Sequence, residues 1–336
     1  MVRSSKKKLT PGELAGARKR LMPEFVAPQL ATLVKEPPEG EEWLHELKFD
    51  GYRMLCHLSR GRVEFWSRNQ KNWTEKFPNL VKAIKTFPAT SAILDGEIVI
   101  VDKAGRSSFQ DLQQAMGKSG AAAFLFQIFD LIYLEGYDLT AVPLVERKLI
   151  LEGLIASIKG KSPLRYSEHV EGSGQEFFQQ ACEYKIEGII SKLANSPYQS
   201  TRNRNWLKAK CIKRQEFVIA GYTPSKNDFP GFGSLILGVY EKGNLIYSGR
   251  VGTGFSIKQR LEIQKKLDQI VQLAMPFITK PKDPGLRQAQ WAKPQLVAEV
   301  AFTEWTADGS IRHPSFQGMR EDKKATDIIR EEPVSS

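Results

Sequence analysis

The pattern of apolar residues changes character once, near residue 212, and that change constrains the fold more than any other feature of the sequence. Up to about Cys211, short apolar runs alternate with helix-like stretches. Ile93 to Val101 and Phe124 to Leu134 read as strands, the second apolar enough to be buried on both faces. Phe77 to Phe87 reads as a helix, with Leu80, Val81, Ile84 and Phe87 at helical spacing, as do Glu146 to Ile158 and Gln175 to Tyr184. Beyond Ile212 the runs become short strands punctuated by Gly, Pro and Asn: Phe217 to Tyr222, Leu235 to Tyr240 and Leu245 to Val251, with Gly243-Asn244 as a hairpin turn. One amphipathic helix, Ile257 to Ala274, interrupts them before Leu296 to Trp305 resumes the strand pattern. The expectation is an α+β chain: a lead or linker over residues 1–21, a mixed α/β domain over 22–212, and a small barrel of the OB type over 213–330.

Composition narrows the partners. The chain of 336 residues carries a formal charge of +11. Such a surplus favours a polyanion, because neutralising phosphates releases condensed counterions. No apolar run approaches the ~18–20 residues that span a bilayer, and no apolar stretch follows Lys6-Lys7-Lys8 as a secretory signal requires. Three cysteines, Cys56, Cys182 and Cys211, are too few and scattered for a disulfide framework and read as reduced thiols of a cytosolic protein. Gly117-Lys118-Ser119 lacks the glycine a P-loop needs, Gly249, Gly252 and Gly254 read as turns, and the four histidines have neither metal-ligand nor triad spacing.

The chemistry concentrates in His45-Glu46-Leu47-Lys48-Phe49-Asp50-Gly51-Tyr52-Arg53. In a strand, Lys48 and Asp50 point to one side, and Gly51 lets the chain turn so that Arg53 returns toward the same pocket. A lysine so held becomes a nucleophile when its ammonium loses its proton; the bland alternative is a strand end bearing an ion pair. Lys208 and Lys210, two apart in a strand, face one way while Leu207 and Ala209 face the core, a pair suited to a phosphate. Glu97 and Glu187, each beside an apolar strand, are carboxylates of the kind that hold Mg²⁺ through oxygen and water.

These segments, taken with Leu94-Asp95-Gly96-Glu97, Phe126-Gln127-Ile128-Phe129-Asp130-Leu131, Glu187-Gly188-Ile189-Ile190-Ser191-Lys192 and Trp206-Leu207-Lys208-Ala209-Lys210, resemble the ordered motifs of the covalent nucleotidyltransferases: ATP-dependent DNA ligases, RNA ligases and capping enzymes. Arg320-Glu321-Asp322-Lys323 adds the closing RxDK of DNA ligases and capping enzymes. Pro28 to Leu33 and Arg312-His313-Pro314-Ser315-Phe316 make the chain most like the ligase module of bacterial end-joining ligase D enzymes. The resemblance implies an adenylation domain followed by an OB domain, Lys48 as the residue that carries AMP, and ATP with Mg²⁺ or Mn²⁺ as cofactors. It places Phe129 against the adenine, Glu46 beside the base, Arg53 on the ribose and Arg68 on the substrate phosphate. It gives Glu97 to both nucleotide and metal, Glu187 to metal, Asp50, Lys208 and Lys210 to catalysis, and Arg312, Arg320, Asp322 and Lys323 to closure over pyrophosphate.

The partners it implies are nicked double-stranded DNA, a Ku-like end-binding protein, and polymerase and nuclease modules, with the chain a monomer in the bacterial cytosol or nucleoid. Only 47 residues precede Lys48, so the helical DNA-binding domain of larger ligases is not expected, and the chain reads as a stand-alone ligase or an excised module. Two rivals stay open on sequence: a guanylyltransferase of the capping type, and a nucleic-acid-binding protein without activity.

Overall fold

The computed structural model describes residues 10–116, 123–225 and 230–334; Lys6-Lys7-Lys8 and Gly117-Lys118-Ser119 lie outside them. Two compact units divide at Cys211/Ile212, and Pro333 and Val334 belong to the first.

The first unit contains β1 (Arg18–Lys19), β2 (Leu30–Leu33), β3 (Gly40–Leu47), β4 (Tyr52–Ser59), β5 (Arg62–Ser67), α1 (Pro78–Ile84), β6 (Ser91–Val99), α2 (Phe109–Met116), β7 (Leu125–Leu134), β8 (Tyr137–Asp138), α3 (Leu144–Ala156), β9 (Leu164–Tyr166), β10 (Val170–Gly172), α4 (Gly174–Glu183), β11 (Gly188–Leu193) and β12 (Arg202–Lys210). One sheet runs β1-β8-β7-β6-β4-β5, with β9 also on β7; the other runs β10-β3-β11-β12-β2. Strand alternation dictates the layers. Met54, Cys56 and Leu58 of β4, with Leu94 and Ile98 of β6, pack beneath Leu80, Ile84, Leu112 and Leu151 of the first three helices. From the opposite face of that sheet, Leu55, Ile93 and Ile132 meet Tyr198 and Trp206 of the second sheet's side. Ile189, Leu207 and Ala209 of the second sheet turn outward to α4. The two sheets therefore enclose a shared layer, and the polar strand residues at its open end form the candidate site.

Several expectations need correction. Residues 10–21 are not a loose lead: Leu14 is buried in the main core, and Arg18 and Lys19 pair with Asp138 and Tyr137. β7 is buried on both faces only in its second half, Asp130 to Leu134; in its first half Leu125, Gln127 and Phe129 are half-exposed while Phe126 and Ile128 fill the core. Cys182 and Cys211 are joined in a disulfide, their Cα atoms 5.2 Å apart, and only Cys56 is free. Scatter in sequence misled there because α4 ends beside the end of β12. Lys48 and Asp50 lie in the connection between β3 and β4, not in a strand.

The second unit contains β13 (Arg214–Pro224), β14 (Phe232–Glu241), β15 (Asn244–Val251), α5 (Ile257–Asp268), β16 (Val271–Gln272), β17 (Gln290–Ala301), β18 (Glu304–Trp305), β19 (Ile311–Arg312) and β20 (Ser315–Met319). Its antiparallel sheet runs β15-β14-β13-β17-β16, with β20 also on β17, around a core including Phe217, Ile219, Leu235, Val297 and Phe316. The hairpin turn is Lys242-Gly243, both at positive φ, one residue earlier than Gly243-Asn244. Ser256 and Gln259 form the capping box that starts α5. The helix stops at Asp268 rather than Ala274 because the β-branched Val271 joins β17 opposite Ala292.

Candidate active site

β3 ends at Leu47, opposite Ile189 of β11, and the Lys48 amide donates to the Gly188 carbonyl at 2.9 Å. Gly188 sits at φ +153°, where an added Cβ would stand 2.1 Å from the Ala209 carbonyl, so glycine alone lets Lys48 ride so close to the strand pair. Lys48 Nζ then lies 2.5 Å from Glu187 Oε2, with the carboxylate buried and the lysine partly open. Asp50 is directed elsewhere: its Oδ2 accepts the amide of Phe109 at 3.3 Å and its own amide donates to Ser107 Oγ at 2.8 Å. It fastens the loop after Lys48 to the start of α2 and does not share a strand face with the lysine. Gly51 is crowded as well, its would-be Cβ 2.2 Å from the Ile98 carbonyl and 3.1 Å from Glu97 Cγ.

Glu46 is buried and fully satisfied. Lys148 Nζ donates to Oε1 at 2.7 Å, Lys192 Nζ to both oxygens at 2.9 Å, and Ser167 Oγ to Oε2 at 2.9 Å. Burial alone would raise its carboxyl pKa, but the two ammonium groups hold it below the usual value. Burial pushes Lys192 down to about 8 against the pull of Glu46. Lys192 Nζ also stands 4.3 Å from the ring centres of both Phe129 and Trp206. Half-buried Ile190 lies between Glu46 and Lys208 in the strand ladder, on the face opposite buried Ile189.

Arg53 crosses from the other sheet. Its Nε and Nη2 bind the two oxygens of fully buried Asp95 at 2.9 and 2.6 Å, and the guanidinium lies 5.2 Å from the Phe129 ring centre. Burial opposes its charge, yet Asp95 raises its pKa further. Glu97 is half-buried and faces Arg53 across the β4/β6 ladder. Arg68 follows β5 in a tight turn closed by the Gln70 amide on the Ser67 carbonyl at 2.9 Å. On β12, Lys208 and Lys210 are half-exposed while Leu207 and Ala209 are buried, as their alternation predicts.

The second unit holds its expected residues in ion pairs. Arg320 grips Asp322 through Nε at 2.9 Å and Nη2 at 2.7 Å, and Glu299 through Nη1 at 2.8 Å. Despite burial, Arg320 keeps the Asp322 carboxyl below its ordinary pKa. Lys323 lies 3.2 Å from Glu216, and surface Arg312 pairs with Glu304 at 2.6 Å. Arg320 is therefore an internal tie, whereas Lys323 and Arg312 stand nearer solvent.

Among the described residues, no group of three or more His, Cys, Asp or Glu side chains is arranged to hold a metal. Glu97 stands beside Gly51, and Glu187 beside Lys48.

Lys148 and Ser167 were missed because each reads locally as something else. Lys148 follows Arg147 within an apolar helical run, and both are buried, Arg147 in a two-point pair with Asp130. That buried charge pair, in a run too apolar for a surface helix, was the one available signal.

A lysine at a strand end facing a carboxylate, a strand bearing two lysines on one face, and the edge-on cluster of Phe129, Trp206 and Tyr198 make up a nucleotidyl-transfer site. The chain belongs to the ATP-dependent DNA ligases: residues 27–210 match the ATP dependent DNA ligase domain, and residues 229–323 the ATP dependent DNA ligase C terminal region. It is 39% identical over 316 residues to the multifunctional non-homologous end joining protein LigD of Pseudomonas aeruginosa, covering 93% of this chain and 37% of that protein. To the multifunctional non-homologous end joining DNA repair protein LigD of Mycobacterium tuberculosis it is 32% identical over 309 residues, covering 91% and 40%. The chain thus spans about two-fifths of the length of these relatives. A mycobacterial DNA ligase D solved with ATP and MES is 32% identical, with a TM-score of 0.68 over 91% of this chain and 98% of that one.

Proposed function

We propose that this chain seals nicks bearing a 3′-hydroxyl and a 5′-phosphate, using ATP, through a covalent lysyl-AMP and then a DNA-adenylate. The observation that carries the reading is Lys48 at the end of β3, 2.5 Å from Glu187 and on the sheet that carries Lys208 and Lys210. Once the Lys48 ammonium has given up a proton to water, its nitrogen bonds to the α-phosphorus as the bond to pyrophosphate breaks, and the second proton leaves the new N–P linkage with the pyrophosphate or to solvent. Lys208 and Lys210 balance charge on the α-phosphate. Phe129 offers a ring face to the adenine, Glu46 with Lys192 a polar edge, Arg53 a contact to the ribose and Arg68 one to the DNA phosphate. Asp50 serves by fixing the Lys48 loop. Glu97 and Glu187 would hold a divalent cation, Mg²⁺ or Mn²⁺, which when bound offsets phosphate charge. Lys323 and Arg312 meet the leaving pyrophosphate, supported by Arg320 and Asp322. The adenylate passes to the 5′-phosphate, and attack by the 3′-hydroxyl then expels AMP.

The names of the relatives support a place in end joining, beside a Ku-like protein and polymerase and nuclease activities, with this chain acting as a monomer on nicked duplex. No described helix is long and apolar enough to cross a membrane. A cytosolic or nucleoid location follows from a DNA substrate, while the Cys182–Cys211 disulfide weighs against inferring it from reduced thiols.

The test is labelling with [α-³²P]ATP or [α-³²P]GTP, after pyrophosphate treatment to strip any resident AMP, followed by a denaturing gel. A band with ATP that Lys48→Ala abolishes is expected. A band with GTP alone would establish the capping-type reading instead, and a Lys48→Ala band as strong as wild type would refute the nucleophile.

A further inference from the structure

Four segments distant in sequence converge on one carboxylate. Asp95 of β6, with no exposed surface, receives Arg53 at both oxygens. The Tyr198 hydroxyl donates to Asp95 Oδ2 at 2.7 Å and accepts the Gln29 amide at 3.1 Å. The Gln29 carbonyl takes the third arm of the same guanidinium, Nη1, at 2.6 Å. Gln29 Oε1 accepts the amide of Gln199, the neighbour of Tyr198, at 2.7 Å and closes the ring of contacts. Each nitrogen of Arg53 is thus tethered, twice by Asp95 and once by Gln29, and one hydroxyl joins the two tethers.

We propose that Tyr198 is a positioning residue for ATP: its hydroxyl locks Asp95 to the Gln29 backbone, so that Arg53 is held at one place and angle beside Phe129. The proposal rests on reading Arg53 as a nucleotide contact. The ring of Tyr198 has a separate task, packing edge-on to Trp206 at 5.9 Å, so removing oxygen alone leaves the core filled. Without it, Asp95 and Arg53 still pair, but the buried Gln29 amide loses its acceptor, and the segment entering β2 that carries the third tether loses its direct tie to Asp95. Burial drives the phenol's ionisation well above its ordinary value, so the hydroxyl stays a donor throughout the working pH range. Arg53 then keeps its charge and loses its aim. That is a fault in ground-state nucleotide binding, to be read in the ATP requirement and not in the rate at saturation.

The experiment follows single-turnover lysyl-AMP formation against ATP concentration for wild type, Tyr198→Phe, Arg53→Ala and the double variant, with melting temperatures recorded. Tyr198→Phe should raise the half-saturating ATP concentration by about 3- to 10-fold, the scale of one hydrogen bond, with the maximal rate within about twofold of wild type. In the Arg53→Ala background the same change should add nothing, since a positioning residue has no effect once its charge is gone. Gln29→Met, which keeps the length and removes the Oε1 that holds the Gln199 amide, should shift the ATP requirement in the same direction and serves if Tyr198→Phe folds poorly. An equal shift from Tyr198→Phe in both backgrounds, or none beside a clear effect of Arg53→Ala, overturns the proposal. Unchanged ATP saturation in Arg53→Ala overturns the assignment of Arg53 itself, and the proposal falls with it.

Discussion

At the scale of single residues, the site is built by burying charges in pairs and leaving one end of each network near the pocket. Glu46 lies buried with Lys148 and Lys192, Arg53 with Asp95, and Arg147 with Asp130; burial penalises the charges, and the facing cations hold the Glu46 and Asp130 carboxyls below their ordinary range. His57 on β4 is the counterexample, buried with no partner for Nε2. Burial lowers its pKa to about 4 from the ordinary 6.5, with Glu64 pulling weakly the other way. The folded state therefore resists a proton that the unfolded chain accepts, and stability present above pH 6.5 is lost as pH falls toward 4. The single group contributes about 2 kcal/mol of loss between pH 7.5 and 5. Urea unfolding of His57→Gln at the two pH values should show a drop smaller by about that amount; an identical drop would show that His57 is not the group titrating.

At the scale of elements, the sequence was most legible where periodicity and chemistry coincided. β12 is the clearest case, because alternation placed Lys208 and Lys210 on one face, open to the site, and Leu207 and Ala209 on the other, packed against α4, without any tertiary knowledge. It was least legible where a long-range partner decided the outcome. Nothing within Pro11 to Arg20 announces that Leu14 enters a core or that Arg18 and Lys19 find β8, and Val271 leaves the pattern of α5 only because β17 is there to pair with it. The Lys48 loop failed for the same reason: a period-two reading cannot know that Ser107 and the Phe109 amide wait for Asp50. The first of these has a direct consequence. Deleting residues 1–21 should destabilise the protein, since burying one leucine is worth about 1.5–3 kcal/mol and the β1–β8 pairing is lost as well. For a unit of this size that corresponds to a fall in melting temperature of about 5–10 °C by calorimetry. An unchanged melting temperature would restore the loose-lead reading.

At the scale of the whole molecule, the chain carries +11, and the buried ion pairs cancel within themselves. Arg53, Arg147, Lys148, Lys192 and Arg320 are all committed to buried carboxylates and contribute nothing to that surplus. On the proposed function such a surplus meets DNA through backbone phosphates, releases counterions on binding and reads little sequence. On the proposed function ATP is held by Arg53 and Lys192, both largely buried, together with half-exposed Lys208 and Lys210, and salt screens buried cations far less. The two substrates should therefore separate under ionic strength. Between 50 and 200 mM salt, affinity for nicked duplex should fall about 10²- to 10³-fold if roughly four to six phosphates are neutralised. Half-saturation by ATP in lysyl-AMP formation should move by less than about threefold over the same range. Fluorescence anisotropy with labelled nicked duplex and the adenylylation assay, run in matched buffers, check the two together. DNA affinity that is flat with salt would mean that the surplus charge is not what holds the duplex, and that recognition rests on contacts to sugars or bases.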